Sequence, residues 1–230
     1  MSGIRPLSKG RAQCSCGINA YAGICGPVVT KPRRLECLPI GGDAIEMPDL
    51  NHHLILVRHS HPEIVLGVPA REWRLSVEGR RRCQPLADEI ARRYAPVAVV
   101  SSDEHKAIET AELIAEPLKL PVEIATDLRE HERDAVRLLD DAAFRAAIAA
   151  FFAHPKELIY GRETAADALA RFQIGVAETL AAHPTGDIVI VTHGTVMSLY
   201  LAARTGTDPH ALWKSLRLPD ARSVMRPDAG

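Results

Sequence analysis

Two histidines follow the two most aliphatic stretches of the chain. The first stretch reads Leu54-Ile55-Leu56-Val57-Arg58-His59-Ser60, and the second reads Ile188-Val189-Ile190-Val191-Thr192-His193-Gly194. A lone histidine after a strand is ordinarily a hydrogen-bonded loop residue. Two in matched settings, one beside an arginine, point instead to a shared site. Imidazole can act as nucleophile, base or metal ligand near neutral pH. Metal sites commonly recruit carboxylates, and none stands next to either histidine. Arg58 disfavours a bound cation and suits an anion. No metal is expected.

For these rings to meet, both stretches must be parallel strands ending at one rim. The intervening pattern supplies that arrangement. Residues 54–57, 97–100 and 188–191 are short aliphatic runs of strand length, and residues 122–125 read as a further strand. Between and after them, residues 76–94, 103–118, 140–153, 163–182 and 196–204 carry helical spacing, as in Leu86, Ile90 and Tyr94, or Ala107, Ala111, Ile114 and Leu118. Ser76 is a suitable N-cap for the first of these helices. Strands alternating with helices predict right-handed crossovers and a mainly parallel sheet. The expected fold is therefore an α/β/α three-layer sandwich, in which ligands bind outside the carboxyl ends of the strands. Little periodicity remains after Trp213, so any final strand or helix is expected to be short.

The chain has 230 residues, enough for one domain with a sizeable core. Its hydrophobic fraction of 47% and charged fraction of 25% exclude disordered, collagen-like and disulfide-dense classes. Lys and Arg number 28 against 29 Asp and Glu, so charge makes no case for a nucleic-acid partner. No apolar stretch approaches the roughly 20 residues of a membrane span. Four of the five cysteines (Cys14, Cys16, Cys25, Cys37) fall in residues 1–46, at spacings unlike paired zinc knuckles. That segment is rich in Gly and Pro and reads as a poorly ordered N-terminal extension, with the catalytic domain at 47–230. Without a signal-peptide core, the default location is cytoplasmic.

Further motifs fall into one order. After Val57-Arg58-His59 come Ser101-Ser102, Lys106-Ala107 and Thr110-Ala111, then Leu128-Arg129-Glu130, Gly161-x-Glu163 and Thr192-His193-Gly194. Over residues 54–204 this order resembles the histidine phosphatase superfamily, the phosphoglycerate-mutase-like group. The resemblance implies a phosphoglycerate-mutase-like fold and makes His59 the nucleophile that becomes phosphorylated. It gives Arg58, Lys106 and His193 to the phosphate pocket and makes Glu130 the proton donor, with Glu132 as fallback. Glu163 and Arg171 are expected to support the site without doing chemistry. No cofactor is implied.

Three departures from the family pattern carry consequences. Ser60 stands where glycine usually follows the nucleophile, and could donate to the phosphate. His61-Pro62 replaces the usual glutamate. Lys106 replaces an arginine, exchanging a planar fork for a point charge. The function expected is metal-independent hydrolysis of a phosphomonoester, the substrate being a small phosphorylated metabolite or a phosphoprotein. The alternatives are a phosphoglycerate mutase, disfavoured by the short body, and a phosphate-binding module with little turnover. Neither a nucleic acid nor a membrane is expected as partner. Specificity is expected in the loops 61–75 and 129–165, where Trp73 is a candidate wall of the entrance.

Overall fold

The computed structural model describes residues 52–133 and 139–226. The proposed extension at 1–46 lies outside the described residues. Five strands form one sheet in the order β3-β2-β4-β1-β5. They are β1 (His53–Arg58), β2 (Pro96–Ser101), β3 (Val122–Ile124), β4 (Asp187–Thr192) and β5 (Asp220–Met225). The first four are parallel, and β5 runs antiparallel beside β1.

Side chains of the central strands alternate between two cores. Leu54, Leu56, Val100, Ile188 and Ile190 face one core, which also contains Ile148, Phe151, Phe172 and Met197. Ile55, Val57, Val99, Val189 and Val191 face the other, with Ala87, Ile90, Ala107, Ala111 and Ile114. The period of two in a strand therefore makes both faces apolar, which is why these strands read as unbroken aliphatic runs. Helices α1 (Val77–Arg93) and α2 (His105–Leu118) cover one face. Helices α3 (Asp141–Ala153), α4 (Ala165–Ala182), α5 (Gly194–Thr205) and α6 (Pro209–Ser215) supply the opposite layer. The three-layer sandwich is the one expected from the alternating pattern.

Local chemistry sets the helix starts. The Ser76 hydroxyl accepts from the Gly79 amide at 3.0 Å, and Thr164 with Asp167 closes a capping box on α4. At Gly79 any side chain would lie 2.1 Å from the His61 carbonyl oxygen. Glycine there lets α1 pack directly on the loop that follows β1.

The elements at the C-terminal end are short, as expected from the weak periodicity after Trp213: α6 has seven residues and β5 six. Asp208 caps α6 by accepting from Ala211 at 2.6 Å, with Pro209 at its first turn. Strand β5 is an edge strand with mixed polarity, so it lacks the aliphatic signature of the buried strands. No described helix is long and apolar enough to cross a membrane.

Candidate active site

Register brings the two histidines together. Arg58 pairs with Thr192 across β1 and β4, so the next residue of each strand emerges at the same rim. The His59 amide donates to the Thr192 carbonyl at 2.9 Å. The rings of His59 and His193 lie 5.1 Å apart, tilted by 58°. Strand β2 ends beside them, and the Ser102 amide donates to the Val191 carbonyl at 3.1 Å.

The hydrogen bonds fix the chemistry of each ring. His59 Nδ1 lies 2.7 Å from the Ser60 carbonyl. A carbonyl only accepts, so Nδ1 carries the proton and the Nε2 lone pair is left for attack. Burial, then the neighbouring His193 and Lys106, hold the His59 pKa well below its ordinary value. The ring is held neutral, the form in which an imidazole can act as a nucleophile. His193 is fully buried, and its Nε2 meets Ser102 Oγ at 2.7 Å. Burial and the charge of Lys106 keep it neutral as well.

Cations and carboxylates surround the pair. Arg58 donates to the Leu216 carbonyl at 2.9 Å, while its Nε is buried without a partner among the described residues. A side chain at Gly194 would come within 2.9 Å of that Nε, so glycine after His193 gives the guanidinium its space. Lys106 is buried, donates to the Ala70 carbonyl at 2.6 Å and is ion-paired with Glu104. Glu130 accepts from its neighbour His131 at 2.9 Å and from Thr195 and Val196 at 3.3 Å. Its carboxylate thus sits at the N-terminus of α5, where backbone amides favour negative charge. Burial alone would raise its pKa, but Arg133, His193 and the His131 amide outweigh that and bring it down to about 2.

The Glu163–Arg171 pair holds this wall in place. Arg171 meets Glu163 at 2.6 Å and donates to the carbonyls of Asp127, Arg129 and Glu130 at 2.8, 3.0 and 3.1 Å. Glu163 in turn accepts from the Glu132 amide at 2.9 Å. One ion pair therefore satisfies four backbone groups of the segment that carries Glu130.

Ser60 differs from expectation. Its hydroxyl donates to the Gly79 carbonyl at 2.7 Å, and its amide to Thr110 Oγ1 at 3.0 Å. The single hydroxyl proton is committed to α1, so it is not a donor to phosphate in this arrangement. Glu104 is the residue that sequence reasoning missed. Only its position two residues before Lys106, in a run of charged residues, was visible beforehand. Trp73 lines the entrance, and its indole N–H donates to the Val65 and Val68 carbonyls at 3.2 and 3.0 Å.

A cleft of about 250 Å³ leads in, lined among others by Ala70, Trp73, Glu104, Lys106, Glu130 and Arg133. His193 lies behind Glu104, 3.4 Å from its Oε1. A larger groove of about 970 Å³ runs between α1 and β5 and touches Arg58. The smaller cleft is the candidate site, because of these two it is the one lined by Lys106, Glu104 and Glu130.

The sequence model of the histidine phosphatase superfamily (branch 1) matches residues 54–228. The chain belongs to that family. No protein of curated function matches the sequence. Among solved structures, a mycobacterial glucosyl-3-phosphoglycerate phosphatase is similar at 28% identity and a TM-score of 0.58, covering 72% of this chain and 84% of its own. The same mycobacterial phosphatase in complex with inorganic phosphate gives 26% identity and a TM-score of 0.58, over 77% and 98% of the two chains. A phosphoserine phosphatase variant from Entamoeba histolytica, bound to phosphoserine, shares the fold at 18% identity and a TM-score of 0.58, over 75% and 89%. Family and neighbours together place this histidine phosphatase homologue among the phosphatases.

Proposed function

We propose that this chain hydrolyses phosphomonoesters through a phosphohistidine on His59. The observation that carries the reading is the meeting of two neutral imidazoles, 5.1 Å apart, at a rim flanked by Arg58 and Lys106. His59 Nε2 attacks phosphorus in line as the ester P–O bond breaks, and water then attacks the phosphohistidine and releases phosphate. Arg58, Lys106 and His193 stabilise charge on the phosphoryl oxygens without reorganising.

Glu130 is the proton donor in this reading. It is ionised in the unliganded site, with a pKa of about 2. A phosphoryl group brings up to two negative charges beside it and pushes that pKa upward. Glu130 then passes a proton to the departing oxygen and recovers one from the attacking water.

The substrate is a small phosphorylated metabolite, favoured over a phosphoprotein by the 250 Å³ cleft and by the glucosyl-3-phosphoglycerate named for the mycobacterial neighbour. The cytoplasmic setting belongs to the same reading. One observation favours a binding module with little turnover, namely that Glu104 already neutralises Lys106. A screen of phosphorylated metabolites against wild type and His59→Ala decides between them. Turnover that disappears with His59 supports the enzyme, whereas equal turnover in both proteins defeats it.

A further inference from the structure

We propose that Glu104 is an internal ligand of the phosphoryl site, so that a phosphate ester binds by displacing this carboxylate from Lys106 and His193. The inference rests on the reading that those two residues receive the phosphoryl group. Three groups suited to an anion converge on the one side chain. Lys106 Nζ donates to Oε2. His193 Nε2 lies 3.4 Å from Oε1, and the Glu130 amide donates to the same oxygen at 2.9 Å. A tetrahedral phosphoryl group needs such a set, and a carboxylate satisfies the same donors with one negative charge in place of up to two.

The side chain is directed into the site. Glu104 occupies the N-cap position of α2 and makes no side-chain capping bond there. It crosses instead to the amide of Glu130. It is 7% exposed and stands between the cleft and His193. The route from the cleft to the histidines therefore passes the Glu104–Lys106 pair.

Displacement needs little of Lys106. Its Nζ is anchored on the Ala70 carbonyl at 2.6 Å, so it exchanges one anionic oxygen for another while staying in place. The displaced carboxylate turns outward into the cleft, whose walls include Arg129 and Arg133. The pair thereby selects dianionic esters over weaker anions, and it limits retention of the phosphate product.

The test is calorimetric binding of inorganic phosphate and orthovanadate to the full chain, as wild type and as Glu104→Gln. Glutamine keeps an acceptor for the Glu130 amide and removes the charge. Glu104→Gln is expected to bind both anions about tenfold or more tightly, since like-charge competition at a buried site is lost. Equal or weaker binding by the folded variant overturns the proposal, as does absence of binding by both proteins. Should Glu104→Gln fail to fold, Glu104→Asp draws the carboxylate back by one methylene and is expected to tighten binding too, with unchanged or weaker binding overturning the idea. Binding needs no turnover, so the two readings fail separately. A variant that tightens on phosphate in a chain without esterase activity defeats the enzyme alone, while turnover with unchanged affinity defeats this inference alone.

Discussion

His59 and His193 stand 5.1 Å apart with their rings tilted by 58°, although they follow β1 and β4, which are far apart in the sequence. The contact follows from parallel register, in which Arg58 and Thr192 are partners. Each ring is desolvated and held neutral, the form in which imidazole can attack phosphorus.

Replacing His59 by alanine removes the attacking lone pair. Turnover of a chromogenic aryl monoester is expected to fall by roughly a thousandfold or more, as for other covalent nucleophiles. Brief mixing with substrate followed by denaturation should trap an acid-labile, base-stable phosphoryl label on wild type and none on the variant. A label that persists without His59 would place the covalent step elsewhere.

Glu130→Gln separates proton transfer from phosphoryl binding. General acid catalysis is worth about a hundredfold or more when the leaving group is a poor one. The variant should therefore lose that much on alkyl monoesters and far less on nitrophenyl phosphate, whose leaving group needs no proton. A uniform loss across leaving groups would make Glu130 a pure anchor of α5, the role its bonds to Thr195 and Val196 already describe.

Arg171→Ala tests the wall behind Glu130. The arginine donates to three backbone carbonyls and pairs with Glu163, both side chains being about one-tenth exposed. Removing it strands a buried carboxylate, a loss of about 3 kcal/mol. For a domain of this size the melting temperature should drop by roughly 6–12 °C. Arg171→Lys should recover only part, because one ammonium cannot span the same set of acceptors. Melting curves that superimpose on wild type would remove the bracing role.

His131 gives the fold a dependence on pH. Its ring is buried and packs on Phe151 at 4.1 Å. Burial, with Arg133 adding to it, lowers its pKa from 6.5 to about 4. Between those values the unfolded chain binds a proton that the folded ring refuses. The stability present above pH 6.5 is therefore lost as pH falls through this window towards 4. His131→Leu removes that share, so the destabilisation measured in denaturant between pH 7 and pH 5 should shrink by about 2 kcal/mol. Parallel curves for the two proteins would contradict this assignment.

The sequence by itself determined the parallel sheet, the two-faced cores and the rim carrying His59 and His193. These features are written in local periodicity, since a strand buried on both faces is aliphatic at every position and an amphipathic helix repeats every three to four residues. Arg58, Lys106 and Glu130 are legible as motif members, although nothing in their spacing says how their charges are partnered. Tertiary structure decided that. The Ser60 hydroxyl went to Gly79 because α1 packs so closely on the loop after β1. Lys106 met Glu104 because the turn into α2 leaves that carboxylate off its own helix cap. Strand β5 formed on mixed-polarity residues because an edge strand is buried on fewer sides and its ladder to β1 uses backbone groups common to every sequence. Hydrogen-bond partners and ion pairs depend on distances between segments far apart in the chain, and only the assembled fold fixes those distances.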